Sequence, residues 1–166
     1  MGIGGMLGLG LVFVGTFLFS SLVEYWLHRL MHVRPDKCQF HVDHHAENTG
    51  QGVFKEFLEY MKVVVPIPLI LLLFSWKVSL AFFLGAVTYA IFSAYAHQLQ
   101  HDNPTKCFWM PMPVHYVHHT YGQWHHNFGL GVDWWDRIFG TYKPTDWETS
   151  IDPTEPERSA LQVRWW

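Results

Sequence analysis

Cysteine is scarce in this chain: 166 residues hold only two, Cys38 and Cys107. That is too few for a disulfide framework, and the pattern reads as reduced thiols on a cytosol-facing side. A basic stripe is missing as well. With 11 Lys and Arg against 14 Asp and Glu, the net charge of −3 gives no footprint for nucleic acid. No glycine-rich nucleotide-binding motif occurs. Charge is absent altogether from two long apolar stretches, residues 3–23 and 78–96.

What is present divides into apolar runs and histidine blocks. Residues 3–23 are long enough as helix, at about 1.5 Å each, to cross a hydrocarbon core of about 30 Å. No Lys or Arg precedes this run and no small-residue cleavage site follows it, which argues against a signal peptide. Gly4, Gly5 and Gly8 suit close helix packing in lipid. A weaker run between the two, residues 63–74, contains Pro66 and Pro68, which are expected to disturb a helix. It is expected either to extend back to Phe57 or only to dip into the bilayer and return, with a tight turn at residues 75–77. The expected spans are therefore about 3–27, 57–74 and 78–96, within one domain of residues 1–145. The tail, 146–166, with Pro153, Pro156 and Glu157, reads as irregular and mobile. Apart from Lys77, every Lys and Arg lies on the histidine side, with Lys55 and Lys62 at the start of the middle segment. The positive-inside bias then puts the N-terminus outside and the histidines and C-terminus in the cytoplasm.

All twelve histidines fall in residues 28–45 and 97–126. His28 and His32 are four apart, as are His97 and His101. His41, His44 and His45 follow the spacing i, i+3, i+4, and so do His115, His118 and His119. On a helix these offsets put the rings on one face, about 5–6 Å apart at Cβ, so they can converge on one metal or two adjacent ones. Imidazole suits Fe, Zn, Cu and Ni alike, so ligand type does not name the metal. Both pairs continue directly from an apolar span, which places them at the membrane boundary, where buried polar groups are costly and usually functional.

The two blocks also repeat. Residues 28–38 lie over 97–107 at a constant offset of 69, with Leu30/Leu99, Pro35/Pro104, Lys37/Lys106 and Cys38/Cys107 matching besides both histidines. After five extra residues in the second copy the triads realign. The order pair, triad, pair, triad points to a duplicated half-site of five imidazoles each, related by a two-fold axis along the membrane normal.

His28-x-x-x-His32, His41-x-x-His44-His45 and His115-x-x-His118-His119 resemble the histidine boxes of the fatty acid hydroxylase/sterol desaturase superfamily. So do Asn127-Phe128-Gly129 and the stretch Trp135-Asp136-Arg137-Ile138-Phe139-Gly140-Thr141-Tyr142. The resemblance covers about residues 20–145. It implies an all-α integral membrane protein with a cytosolic helical cap around a histidine-bound dimetal site. It further implies two iron ions, with zinc as a substitute metal, and molecular oxygen as co-substrate for hydroxylation or desaturation of a lipid C–H bond. Electrons would come from a separate donor protein. His125, His126, Asn127, Asp43 and Asp102 are candidates for a further ligand or for orienting one, and Glu24 and Asp133 are further carboxylates able to orient the rings. Trp135, Asp136, Arg137 and Gly140 are expected to close the cap, with Trp134 packing there or anchoring at the interface. Two other classes compete: a histidine-rich metal transporter and a non-catalytic relative. Ligands that follow the spans instead of lying inside them weigh against the first, and an intact set of ten box histidines against the second.

Overall fold

Both uncharged stretches fold as long helices. The computed structural model describes residues 2–148 and 158–166. In it α1 covers Ile3–Val33 and α5 covers Trp76–Asp102. At about 1.5 Å per residue they run to about 46 and 40 Å, well past a hydrocarbon core of about 30 Å. The excess at their C-terminal ends carries His28, His32, His97 and His101. Between and after them lie α2 (Gln39–Glu47), α3 (Val53–Val64), α4 (Pro66–Leu71), α6 (Val114–Thr120) and α7 (Trp134–Phe139). No strand occurs among the described residues, and the architecture is all-α. The cap is built from α2, α6 and α7 joined by irregular loops.

The prolines of the middle segment disturb it less than expected. Pro66 opens α4, where its missing N–H is not needed. Val65 stays helical at φ −59° and ψ −40°, so α3 runs into α4 across a one-residue break. The α5 helix serves as a ruler for this segment. At one end the Gly52 N–H donates to Gln98 Oε1 at 2.8 Å, and at the other the Ser79 hydroxyl donates to the Pro68 carbonyl at 2.7 Å. Gln98 and Ser79 are separated by about 28 Å of helix. The middle segment therefore accompanies α5 over nearly the thickness of a hydrocarbon core. The turn that follows is shorter than the sequence suggests: Ser75 caps α5, and Trp76 and Lys77 already belong to it.

α1 packs along α5, with backbones in contact at Gly85. A Cβ there would lie 2.4 Å from the Phe13 carbonyl oxygen. The glycines expected to serve close packing do not do so within this chain: Gly4 and Gly8 have nothing within 4 Å of a Cβ position. Large apolar side chains on α1, α4 and α5 point outward, among them Leu11, Leu69, Leu80 and Ile91. Such a surface fits contact with lipid tails.

The sequence repeat is a structural repeat. Each long helix ends one residue past its second histidine and passes into a 3-10 turn that starts at proline, Pro35–Lys37 and Pro104–Lys106. The Cys38 and Cys107 N–H groups close these turns on the Pro35 and Pro104 carbonyls, each at 3.1 Å. Part of the tail departs from expectation. Pro153, Pro156 and Glu157 lie outside the described residues, but residues 158–166 are irregular and fastened. The Arg164 and Trp165 carbonyls accept from the first N–H groups of α3, at 3.0 and 2.9 Å, and the Tyr95 hydroxyl donates to the Ala160 carbonyl at 2.6 Å. These carbonyls satisfy donors that a helix N-terminus otherwise leaves open.

Candidate metal centre

Four elements deliver ten imidazoles to one place. α1 carries His28 and His32, α2 carries His41, His44 and His45, α5 carries His97 and His101, and α6 carries His115, His118 and His119. The rings sort into two clusters. In the first, His32 Nε2 lies 3.2 Å from His28 Nε2, 2.9 Å from His41 Nε2, 3.2 Å from His45 Nε2 and 3.0 Å from His118 Nε2. In the second, His101 Nε2 lies 3.3 Å from His97 Nε2 and 3.1 Å from His115 Nε2, and His97 Nε2 lies 3.4 Å from His44 Nε2. His44, His101, His115 and His119 bring one nitrogen each within 4.8 Å of one another, as do His28, His32, His45 and His118. The clusters abut where His45 stacks on His119, ring centres 3.9 Å apart.

The assignment of rings to clusters follows the repeat with one exchange. Pairs and triads superpose as His28/His97, His32/His101, His41/His115, His44/His118 and His45/His119. The first cluster is His28, His32, His41 and His45 from its own half plus His118 from the other. The second is His97, His101, His115 and His119 plus His44. The middle histidine of each triad crosses over, and the crossing is symmetric.

In three rings a backbone carbonyl fixes the inward-facing nitrogen as the one without a proton. His28 Nδ1 lies 2.6 Å from the Phe128 carbonyl oxygen, His118 Nδ1 2.7 Å from that of His126, and His44 Nδ1 3.1 Å from that of Thr49. A carbonyl oxygen only accepts, so each Nδ1 is the donor and each Nε2 presents a lone pair to its cluster. Lone pairs packed at about 3 Å repel unless a cation sits among them. Nitrogens about 2.1 Å from one ion are about 3.0 Å apart at a right angle and about 3.4 Å apart at a tetrahedral one. The observed separations fall in that range. Both nitrogens of His119 are buried with no hydrogen-bond partner among the described residues, a costly state that coordination through one of them would relieve in part. The donor set therefore fits two metal ions.

Protonation does not compete at neutral pH. Burial, reinforced by neighbouring imidazoles, pushes His41 and His45 down to about 3 and His44 and His118 down to about 4, from an ordinary 6.5. Neutral rings are the form that binds metal.

The carboxylate that reaches a histidine is Glu56, which the sequence reading missed. Its Oε1 lies 3.4 Å from His97 Nδ1, both side chains being buried. A carboxylate on the outer nitrogen fixes the ring and raises its basicity. The sequence signal was slight, Glu56 and Tyr60 four residues apart on a helix that also carries Lys55, Glu59 and Lys62. The carboxylates named from sequence bond elsewhere. Asp43 accepts from Gln39, Asp102 from Gln98 and the Arg164 N–H, and Asp133 pairs with Arg137. Glu24 is buried and takes the Ser93 hydroxyl and the Leu130 and Gly131 N–H groups. His125 is exposed, and His126 meets the centre through its backbone carbonyl. Neither ring lies among those that converge. Cys38 and Cys107 stay outside both clusters as free thiols. Burial pushes the Cys107 thiol up to about 12.

Asn127 and Asp136 frame the centre. Asn127, at φ 58°, ties its loop to the irregular stretch after α7 by exchanging hydrogen bonds with the Lys143 backbone, both 3.0 Å. Asp136 is fully buried and accepts from the Phe128 and Gly129 N–H groups at 2.8 Å and from the Thr141 hydroxyl at 2.7 Å. The carbonyl of that same Phe128 holds His28. Gly140 ends α7 at φ 69°, a conformation glycine adopts without strain. Trp135 donates to the Ser21 hydroxyl at 2.9 Å, pinning α7 to α1, whereas Arg137 lies on the surface over the Tyr142 ring. Trp134 stands exposed beside Trp135.

A ten-histidine centre at the ends of two apolar helices, closed by an Asn-Phe-Gly loop and a buried aspartate, has a counterpart among known sequences. The model of the fatty acid hydroxylase family matches residues 13–141. The chain belongs to that family. No curated protein and no solved structure matches it. Membership implies an oxidoreductase of the lipid-hydroxylating kind, and with the two apolar helices it marks a membrane protein. The matched segment holds all ten converging histidines, the Asn127 loop and Asp136.

Proposed function

We propose that this chain hydroxylates or desaturates a C–H bond of a lipid at a pair of iron ions held by its ten converging histidines. The observation that carries the reading is the pair of equivalent five-imidazole clusters, sited where two apolar helices leave the membrane. Bound there, the metals would supply, with molecular oxygen, the oxidising power that an aliphatic C–H bond demands of a cofactor. His28, His32, His41, His45 and His118 would hold one ion, and His44, His97, His101, His115 and His119 the other. The chain's own contribution is positioning. Glu56 and the Phe128, Thr49 and His126 carbonyls fix the tautomers and ring orientations. The walls of α1, α3 and α5 keep water from the membrane side of the centre. With no nucleotide-binding motif in the chain, a separate protein delivers electrons. The excess of Lys and Arg on the histidine side supports a cytoplasmic centre.

Metal analysis and untargeted lipid analysis test this together. Purified protein is expected to retain two irons per chain. Cells producing it should contain a lipid heavier by one oxygen or lighter by two hydrogens, absent from cells producing His118→Ala. Metal-loaded protein with no lipid change, or vesicles into which the protein moves metal ions, would overturn the reading.

A further inference from the structure

Among the described residues, three aromatic rings other than histidine lie against the converging imidazoles. Phe40 meets His41, Phe128 meets His28, His32 and His118, and Trp124 meets His32 and His45. Trp124 comes nearest, its ring centre 4.4 Å from that of His32 and 5.2 Å from that of His45. Its indole N–H donates to the His32 carbonyl at 3.3 Å, in the last turn of α1, and so fixes the ring in place.

Phe128 is buried, whereas Trp124 is half-buried, with Gly122 and His125 exposed on either side of it. The indole therefore reaches from two ligand rings to the solvent. The second cluster is one ring contact further on, because His45 stacks on His119 with ring centres 3.9 Å apart.

A centre able to oxidise an aliphatic C–H bond can also draw electrons from its own surroundings when no lipid is bound. The ligand rings are the nearest groups at risk. Indole gives up an electron more readily than imidazole or the phenylalanine ring, so of the rings in contact with the ligands Trp124 yields first.

We propose that Trp124 is a redox outlet of the metal centre, supplying electrons when the centre is oxidised without a lipid and so sparing its histidines. Each electron leaves the indole through His32 or His45. An external one-electron reductant, such as the donor protein or ascorbate, refills the indole. Without one, the indole gives up two electrons, water adds to the ring and two protons are released, leaving hydroxytryptophan. Those two electrons and two protons reduce the oxidant's oxygen to water. The inference rests on the reading that the centre holds redox-active iron.

The test uses the full chain, stripped of lipid into amphipol and loaded with iron or with zinc, which has no redox chemistry. Each form receives stoichiometric hydrogen peroxide, and added oxygen is mapped on peptides by mass spectrometry. In the iron form Trp124 is expected to carry about tenfold more added oxygen than Trp76 or Trp166, although these are 63% and 79% exposed. It should also exceed every ligand histidine. The zinc form should show no such preference, and ascorbate should suppress it in the iron form. Trp124→Phe keeps a ring against His32 and His45 and should bind iron as before. On peroxide it should lose that iron about tenfold faster, with oxygen appearing on His32 and His45.

Oxidation that merely follows exposure, equal oxidation of Trp124 in the zinc form, or iron and histidines that last as long in Trp124→Phe would overturn the proposal. Should Trp124→Phe bind no iron, the map on the unaltered protein decides, since Trp124 must lead in the iron form alone. Peroxide stands in for oxygen and donor protein, so Trp124 can be oxidised where no lipid product ever forms. A lipid product with Trp124 untouched would sink this inference and leave the lipid-oxidation reading standing.

Discussion

At the scale of single residues, the exchange of His44 and His118 makes the sharpest demand. Each sits in the triad of one half and turns its Nε2 to the cluster of the other, so neither half completes a site by itself. His118→Ala is expected to remove one of five nitrogens around the His28–His32 ion and to lower bound iron from two per chain toward one. His44→Ala should do the same to the other ion, and because the clusters correspond under the repeat, the two losses should be similar in size. Iron quantified per chain after purification checks this. Full metal content in either variant would contradict the exchanged arrangement. The spacing of ten histidines on helix faces was legible in the sequence because i, i+3 and i+4 geometry is local. Which cluster a ring joins was not, since that depends on how α2 and α6 lie across each other. Glu56 was hidden for a related reason: its partner His97 is 41 residues away, and in sequence it reads as one more helix charge.

Elements show the same division between local and long-range information. The long helices α1 and α5 announced themselves by lack of charge, and the 3-10 turns after them by the matched prolines at 35 and 104. Close helix contact did not announce itself. Gly4 and Gly8 look like a packing motif but face outward, whereas Gly85, alone in its stretch of α5, is where α1 comes within backbone contact. The cap element α7 was readable as a clamp, though only in part: Asp136 grips the loop, while Arg137 stays on the surface with Asp133. The grip has consequences at the metal centre. Asp136→Asn replaces one accepting oxygen by an NH2 group aimed at a backbone N–H, at a buried position. The expected cost is about 2–3 kcal/mol of stability, since charged hydrogen bonds are lost and a donor is left unmet. Freed from Asp136, the Phe128 carbonyl no longer holds His28 Nδ1 firmly, and the first cluster should lose about 10- to 100-fold in metal affinity. A thermal unfolding midpoint and a metal competition assay measure the two effects. An unchanged midpoint would show that the loop stands without its aspartate.

For the molecule as a whole, the two-fold repeat constrains the path through the membrane. α1 and α5 both end at the metal centre, so they run in the same direction and their N-terminal ends share the opposite face. If both helices cross the bilayer, the segment that joins them must return through it. α3 and α4 run back beside α5, from the level of Gln98 to that of Ser79, about 28 Å of helix. A segment that dipped in and withdrew would end on the histidine side, and α5 would then have to enter from there, carrying His97 and His101 away from His28 and His32. The observed distances of 3.4 Å between His97 and His44 and of 3.0 Å between His118 and His32, each joining one half to the other, rule that path out for the fold described. Charge gives the direction, because Arg29, Arg34, Lys37, Lys55 and Lys62 fall toward the histidine end while Lys77 stands alone at the other. A tag ahead of Gly2 is thus expected to be protease-accessible from outside intact cells, and a tag after Trp166 only once the membrane is opened. Accessibility of both tags from one side would mean an even number of crossings, which three parallel and antiparallel passes cannot give. Reversal of both tags would keep the fold and put the histidine centre on the outer face, against the charge bias.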